Sequence, residues 1–242
     1  MKILVVGDIH GNFNRVLAEV KRKFNFFDHV VFLGDYVDSF DNNQNGYPMI
    51  NGFNRLMEMK TEKFHILIGN HDMSYISDPN VSGHRYDFAE QYREMFMKNL
   101  NNMDVCCKLG DYVFSHAGIS KSWIETSGVK NPSDFFLNWA KISREDYDKM
   151  DLIDKINYVF HKEMFELFDF DINDRSYCGD YPAQSPTWIR PNTLWDNMAF
   201  DKQIVGHTEM QAEFCPFIFE KEEKKLIVLD SPTHFNFLEL EV

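Results

Sequence analysis

The chain has 242 residues, enough for one large or two small domains with a buried core. Its 44% hydrophobic and 26% charged residues exclude a disordered, collagenous or polar-repeat chain. With 25 Lys and Arg against 38 Asp and Glu, the formal charge is −13, which disfavours long nucleic acid or an anionic membrane surface as partner.

Three short apolar runs open the chain, and each ends in glycine followed by a polar residue that can bind metal. They are Ile3 to Val6 before Gly7-Asp8, Val30 to Leu33 before Gly34-Asp35, and Ile66 to Ile68 before Gly69-Asn70. Runs without polar alternation predict strands covered on both faces. Their polar followers then stand at the carboxyl ends of the strands, where open α/β sheets place their sites. Phe13, Val16, Leu17, Val20 and Phe24 recur at helical spacing between the first two runs, with Asn12 as the expected cap, so a β-α-β unit is predicted. Further helices are expected over Met49 to Met59 and Phe88 to Leu100. Strands are expected at Tyr112 to Phe114, Gln203 to Val205, Phe217 to Phe219 and Leu226 to Leu229, with Phe235 to Leu240 as an edge strand.

From Lys121 to Pro186 the pattern changes to aromatic and polar residues at helical spacing, so residues 121–186 read as a helical insertion within a single domain spanning 1–242. The Phe-rich stretch at 160–170 reads as packing. Glu220 to Lys225, mixed in charge, reads as a solvated hairpin tip. No run reaches the roughly 18 apolar residues of a spanning helix. The start is too short for a secretion signal before its glycine turn. Cys106 and Cys107 are adjacent while Cys178 and Cys215 stand alone, which is neither a zinc spacing nor a disulfide framework. A cytoplasmic chain with reduced thiols is expected, without a membrane partner.

Asp8, His10, Asp35, Asn70, His116 and His207 all fall beside glycine or at strand ends, and all are oxygen or imidazole donors. Such a set suits Mn²⁺, Fe or Zn²⁺ rather than copper or an iron–sulfur cluster. The number of donors fits two divalent ions, with one carboxylate bridging them at a separation of roughly 3.5–4 Å. His29, His65, His84, His161 and His234 lack such companions and read as core or surface residues.

The blocks Gly7-Asp8-Ile9-His10-Gly11, Gly34-Asp35-Tyr36-Val37-Asp38, Gly69-Asn70-His71-Asp72, His116-Ala117-Gly118 and Gly206-His207-Thr208 resemble, in this order, the calcineurin-like metallophosphoesterases. The likeness is strongest to the phosphoprotein phosphatase branch with its bacterial and phage members. The resemblance implies an α/β fold with a central β-sandwich flanked by helices in α-β-β-α layers. It implies that Asp8 and His10 hold one metal, that Asp35 bridges, and that Asn70, His116 and His207 complete the second, Asn70 also touching the phosphate. It makes His71, oriented by Asp38, the general acid, and a hydroxide bridging the metals the nucleophile. Trp188-Ile189-Arg190 resembles a Trp-x-Arg segment of phage-type members, which makes Arg190 a phosphate clamp.

Two departures stand out. Asp38 is followed by Ser39-Phe40 where the branch usually has Arg-Gly, and Asp230-Ser231-Pro232 stands where the family often has Asp-x-Gly. Ser39 offers one hydrogen bond in place of the missing arginine, and Arg55, Arg85 and Lys121 are the candidate cations to replace it. The expected activity is a dinuclear-metal phosphomonoesterase of Ser/Thr protein phosphatase type, with manganese foremost among the ions and a phosphoprotein or small phosphate ester as partner. The alternatives are a dinucleoside polyphosphate hydrolase, a polynucleotide-end phosphatase or a phosphodiesterase. A catalytically silent scaffold is the reading from another class, and the filled ligand positions weigh against it.

Overall fold

The computed structural model describes residues 1–77, 81–211, 215–231 and 236–242, without the side chain of Asn42. Its elements follow the hydrophobic pattern closely. Strand β1 (Lys2–Val6) leads through helix α1 (Phe13–Lys23) to β2 (His29–Phe32), then α2 (Tyr47–Met59) leads to β3 (Phe64–Ile66). These three strands are parallel, in the order β3-β2-β1, and the C-terminal strand β9 (Phe237–Glu241) closes the sheet antiparallel to β1. The expected edge strand thus exists; Phe235, where it was predicted to begin, lies outside the described residues. Asn12 precedes α1 but does not cap it, because its amide donates to the Ile9 carbonyl at 3.1 Å.

A second sheet takes the order β4-β5-β6-β8-β7 from β4 (Cys106–Leu109), β5 (Tyr112–Ser115), β6 (Lys202–Val205), β7 (Phe217–Lys221) and β8 (Lys224–Val228). Within it β5, β6 and β8 are mutually parallel, and the antiparallel β7–β8 hairpin carries the mixed-charge tip. Strand β4 falls outside the strands expected from the sequence, because two cysteines and a lysine dilute its apolar pattern. All four cysteines are free, and the adjacent pair is buried.

Side-chain alternation divides the interior. Ile3, Val5, Val31 and Leu33 face Phe114, Ile204, Ile227 and Leu229 between the sheets. Their alternating neighbours Leu4, Val6, Val30 and Phe32 turn to α1, α2 and α4 (Ala89–Asn99), which bury Val16, Phe53 and Phe96 against them. On the far face Val205, Leu226 and Val228 pack on Leu194 and Met198, in and just after α9 (Pro191–Asn197). The layers are therefore helices, sheet, sheet, helix, and each strand is covered twice because both its faces are apolar.

Between β5 and α9 lie α5 (Lys121–Thr126), α6 (Asp134–Ala140), α7 (Arg144–Lys149) and α8 (Leu152–His161), with α3 (Asn70–Met73) earlier in the chain. Serine or aspartate side chains cap the first turns of α5 to α8. Phe160, Phe165 and Phe168 are buried in the helix-side core. Asn157 of α8 accepts from Val105 N–H and donates to the Cys106 carbonyl, which satisfies the edge of β4. Among the described residues no helix is long and apolar enough to cross a membrane.

Candidate active site

Six parallel strands end at one side of the sandwich, and each delivers a donor there. Asp8 follows β1, Asp35 follows β2, Asn70 lies shortly beyond β3, His116 follows β5, His207 comes two residues after β6 and Asp230 two after β8. The backbone bends sharply at these points. Four of the eight described non-glycine residues with left-handed φ are His10 (+40°), Asp35 (+49°), Asp38 (+61°) and His207 (+64°). Each costs on the order of 1–2 kcal/mol, which the surrounding fold absorbs to aim these side chains. Two glycines make room for carboxylates: a Cβ on Gly69 would fall 2.1 Å from Asp35 Oδ1, and one on Gly206 2.1 Å from Asp8 Oδ1. The missing side chains are thus a steric requirement of the Gly-Asn-His and Gly-His-Thr blocks.

The histidines are oriented by backbone carbonyls. Nδ1 of His10 meets Val37 O at 3.0 Å, Nδ1 of His116 meets Leu33 O at 2.9 Å, and Nε2 of His207 meets Trp188 O at 3.0 Å. A carbonyl only accepts, so in each ring that nitrogen carries the hydrogen and the other nitrogen presents a lone pair. Those lone pairs converge. His116 Nε2 and His207 Nδ1 lie 2.9 and 3.1 Å from Asn70 Oδ1, and His10 Nε2 and His116 Nε2 lie 3.6 and 3.5 Å from Asp35 Oδ2. With those tautomers no hydrogen remains to share among these acceptors, and a cation is what such a convergence accommodates. Donors about 2.1 Å from a common ion stand roughly 3–3.5 Å apart, which matches these separations. Asp35 belongs to both tight groups of possible ligands, Asp8–Asp35–His116 and His10–Asp35–His71, whose atoms all lie within 4.8 Å of one another.

A calcineurin-like phosphoesterase profile matches residues 1–208. The chain belongs to this family. Among curated proteins none matches its sequence. The solved structures it resembles include the cold-active protein-tyrosine phosphatase of a psychrophilic Shewanella species, at 19% identity and a TM-score of 0.56, covering 96% of this chain and 71% of that one. They also include a protein serine/threonine phosphatase from Saccharomyces cerevisiae, at 18% identity and a TM-score of 0.41, covering 94% and 66% of the two chains. The calcineurin-like phosphoesterase is thus a hydrolase of phosphate esters with the expected fold.

Electrostatics separates its histidines into two kinds. Burial holds His10, His116 and His207 below the ordinary imidazole range, which keeps them neutral and able to ligate. His71 goes the other way: burial opposes its charge, but Asp35 and the hydrogen-bonded Asp38 outweigh it and lift the pKa to about 9. Its Nδ1 lies 2.9 Å from Asp38 Oδ2, and its ring stands edge-on to His10 at 5.0 Å. Asp35 falls below the usual carboxylate range because burial, which would raise it, is overcome by the positive charge that the surrounding imidazoles, led by His116, carry in the acid range where Asp35 titrates. Burial and the charges of Asp230 and Asp35 raise Asp8, and burial together with Asp35 and Glu209 pushes Asp230 up to about 7. This crowding of carboxylates is a second sign of a cation's place.

The donors floor a cleft of about 490 Å³, within the range of small-molecule sites. Asp8, His10, Asp35, Asn70, His71, His207 and Arg190 line it, while His116 and Asp38 lie buried beneath. Arg190 donates from Nη1 to His207 O (3.2 Å) and Thr208 Oγ1 (3.1 Å) and from Nε to Cys178 O (2.8 Å), which holds its guanidinium at the wall. Asp72 is not a lining residue. It accepts from Tyr36 N–H and Gly69 N–H, and so ties the second and third blocks together.

Of the cations considered as replacements, none lines the cleft. Arg55 bonds Asn14, Arg85 pairs with Asp87 and Lys121 borders a different depression. The cleft instead has Arg15, from the second residue after the start of α1's Phe13, together with Ser39, Trp188 and the 79% exposed Phe40, whose ring lies 5.7 Å from that of His10. Sequence reasoning missed Arg15, Phe40 and Tyr75.

Proposed function

We propose that this calcineurin-like phosphoesterase is a phosphomonoesterase of Ser/Thr protein phosphatase type that works with two divalent ions, manganese foremost. Asp8, His10 and Asp35 would hold one ion, and Asp35, Asn70, His116 and His207 the other. Bound there, the pair would bring positive charge to the phosphoryl oxygens and acidify an attacking water. Arg190, which lines the same cleft with Nε and Nη1 anchored to the wall, would offer those oxygens the remaining N–H groups of its guanidinium, with Asn70 beside them. His71 donates a proton to the departing ester oxygen while Asp38 holds its ring.

The observation that carries this reading is the buried His71–Asp38 pair beside the donor cluster. An alkoxide leaving from a monoester gains most from a positioned acid, so the pair favours monoesters with poor leaving groups over activated esters or diesters. The test is a panel of phosphoserine peptide, phosphotyrosine peptide, mononucleotide, dinucleoside polyphosphate and aryl diester, each assayed with Mn²⁺, Fe²⁺ and Zn²⁺. Metal-dependent release of phosphate from the monoesters, fastest on phosphoserine peptide with Mn²⁺, is expected. Preference for the diester or the polyphosphate would replace this reading, and silence with every ion would point to a scaffold.

A further inference from the structure

Asp38 has a second partner besides His71. The hydroxyl of Tyr75 donates to Asp38 Oδ1 in a short hydrogen bond, while Oδ2 serves His71. The direction of that bond is fixed from outside. Arg85 N–H, which can only donate, points at the same phenol oxygen at 2.7 Å, so the phenol's single proton is left for the carboxylate. Asp38 is 2% exposed and stands on left-handed backbone, so water does not substitute for either partner and the local chain is strained.

The ring that carries this hydroxyl is itself clamped. It stacks on His84 at 4.2 Å and 17°, and meets Tyr92 edge-on at 4.9 Å. Tyr92 in turn accepts from Gly46 N–H at 2.7 Å. Ser74, next in the chain, donates to the His71 carbonyl at 2.8 Å and contacts His84 Nδ1 at 3.0 Å. Tyr75 follows His71 by four residues, so the start of α3 and the turn after it bring the phenol back beneath the acid. The phenol itself does not reach the cleft: Tyr75 is not among its lining residues, whereas His71 is.

We infer that Tyr75 is a positioning residue for the reaction: by holding Asp38 at a second oxygen it fixes the plane of the carboxylate, and through it the ring of His71, for proton delivery to the leaving oxygen. The inference rests on the reading of His71 as general acid. Because Tyr75 acts only through that proton, it matters where the leaving group needs one and is dispensable where it does not. Phenyl phosphate and an alkyl monoester need it; p-nitrophenyl phosphate, whose departing oxygen is far less basic, needs it little.

The experiment compares wild type, Tyr75→Phe, His71→Asn and the double variant on these three substrates, with metal content measured beside kcat and KM. Tyr75→Phe keeps the packed ring, and the ratio of kcat on two substrates does not depend on the fraction of protein folded. The expected result is a loss in kcat of roughly 10-fold on phenyl and alkyl phosphate, under about threefold on p-nitrophenyl phosphate, with KM and metal content unchanged. In the His71→Asn background the second substitution should add nothing, since the two residues act as one unit. Equal losses on all substrates, no loss, or losses that multiply in the double variant would overturn the inference. If His71→Asn itself shows no dependence on the leaving group, the general-acid reading fails; if it does and Tyr75→Phe does not, only the role of Tyr75 fails. Should Tyr75→Phe not fold, 3-fluorotyrosine at position 75 keeps every contact and strengthens the donor; a phenyl to p-nitrophenyl ratio identical to wild type would then overturn the inference, and a changed ratio with constant KM would support it.

Discussion

The floor of the cleft and its rim are built on different terms. On the floor, Asp8, His10, Asp35, Asn70 and His207, with His116 beneath them, stand a residue or a few beyond parallel strands, and backbone carbonyls fix the rings of His10, His116 and His207. On the rim, Arg15, Phe40, Trp188 and Arg190 come from a helix turn and from loops, and Phe40 is largely open to water. The floor is held by the sheets themselves, so its geometry is as rigid as the core. The rim is held by side chains. On the proposed reading the chemistry belongs to the first region and the choice of substrate to the second, because only the second can change without disturbing the sandwich.

That division can be broken at its strongest point first. Asp35→Asn removes the carboxylate common to both groups of donors, and activity should fall by roughly 10³-fold or more with both ions lost. Elemental analysis beside kinetics checks this; full occupancy of both positions in the variant would mean the floor does not depend on Asp35. His71→Asn should keep both ions and lower kcat by about 10²- to 10⁴-fold, so loss of the ions would move His71 from acid to ligand.

Changes at the rim should be smaller and confined to binding. Arg190→Ala should weaken competitive inhibition by inorganic phosphate about 10- to 100-fold while leaving metal content unchanged, as expected for loss of one charged hydrogen-bonding group. An unchanged inhibition constant would remove Arg190 from the phosphate site. Ser39→Arg, which adds a cation where Ser39 lines the cleft, should tighten phosphate by up to about tenfold. Weaker phosphate binding in that variant would show that this turn needs the Ser39 hydroxyl, which accepts from Asp41 N–H at 3.1 Å.

Much of the floor was legible because its signals are local. A glycine beside a donor after an apolar run marks a strand end, and Gly69 and Gly206 carry no side chain for a reason that the carboxylates of Asp35 and Asp8 make plain. The β-α-β unit over the first two runs was legible for the same reason, since its apolar positions alternate between two cores. Strand β4 was not, because two cysteines and a lysine dilute the pattern, and its register depends on pairing with β5 and on Asn157 from α8. Arg15, Phe40 and Tyr75 were not legible because nothing near them in the chain says that they return to the site. Arg15 lies on a helix read as an outer layer, and the phenol of Tyr75 reaches Asp38 across 37 residues of chain. Contacts of that kind are set by how the elements pack, and a single sequence carries no trace of them.

The most direct test of the central claim is anomalous scattering from crystals grown with Mn²⁺. The account predicts two peaks flanking Asp35, one beside Asp8 and His10 and the other beside Asn70, His116 and His207. A single peak, or peaks that leave Asp35 untouched, would contradict it.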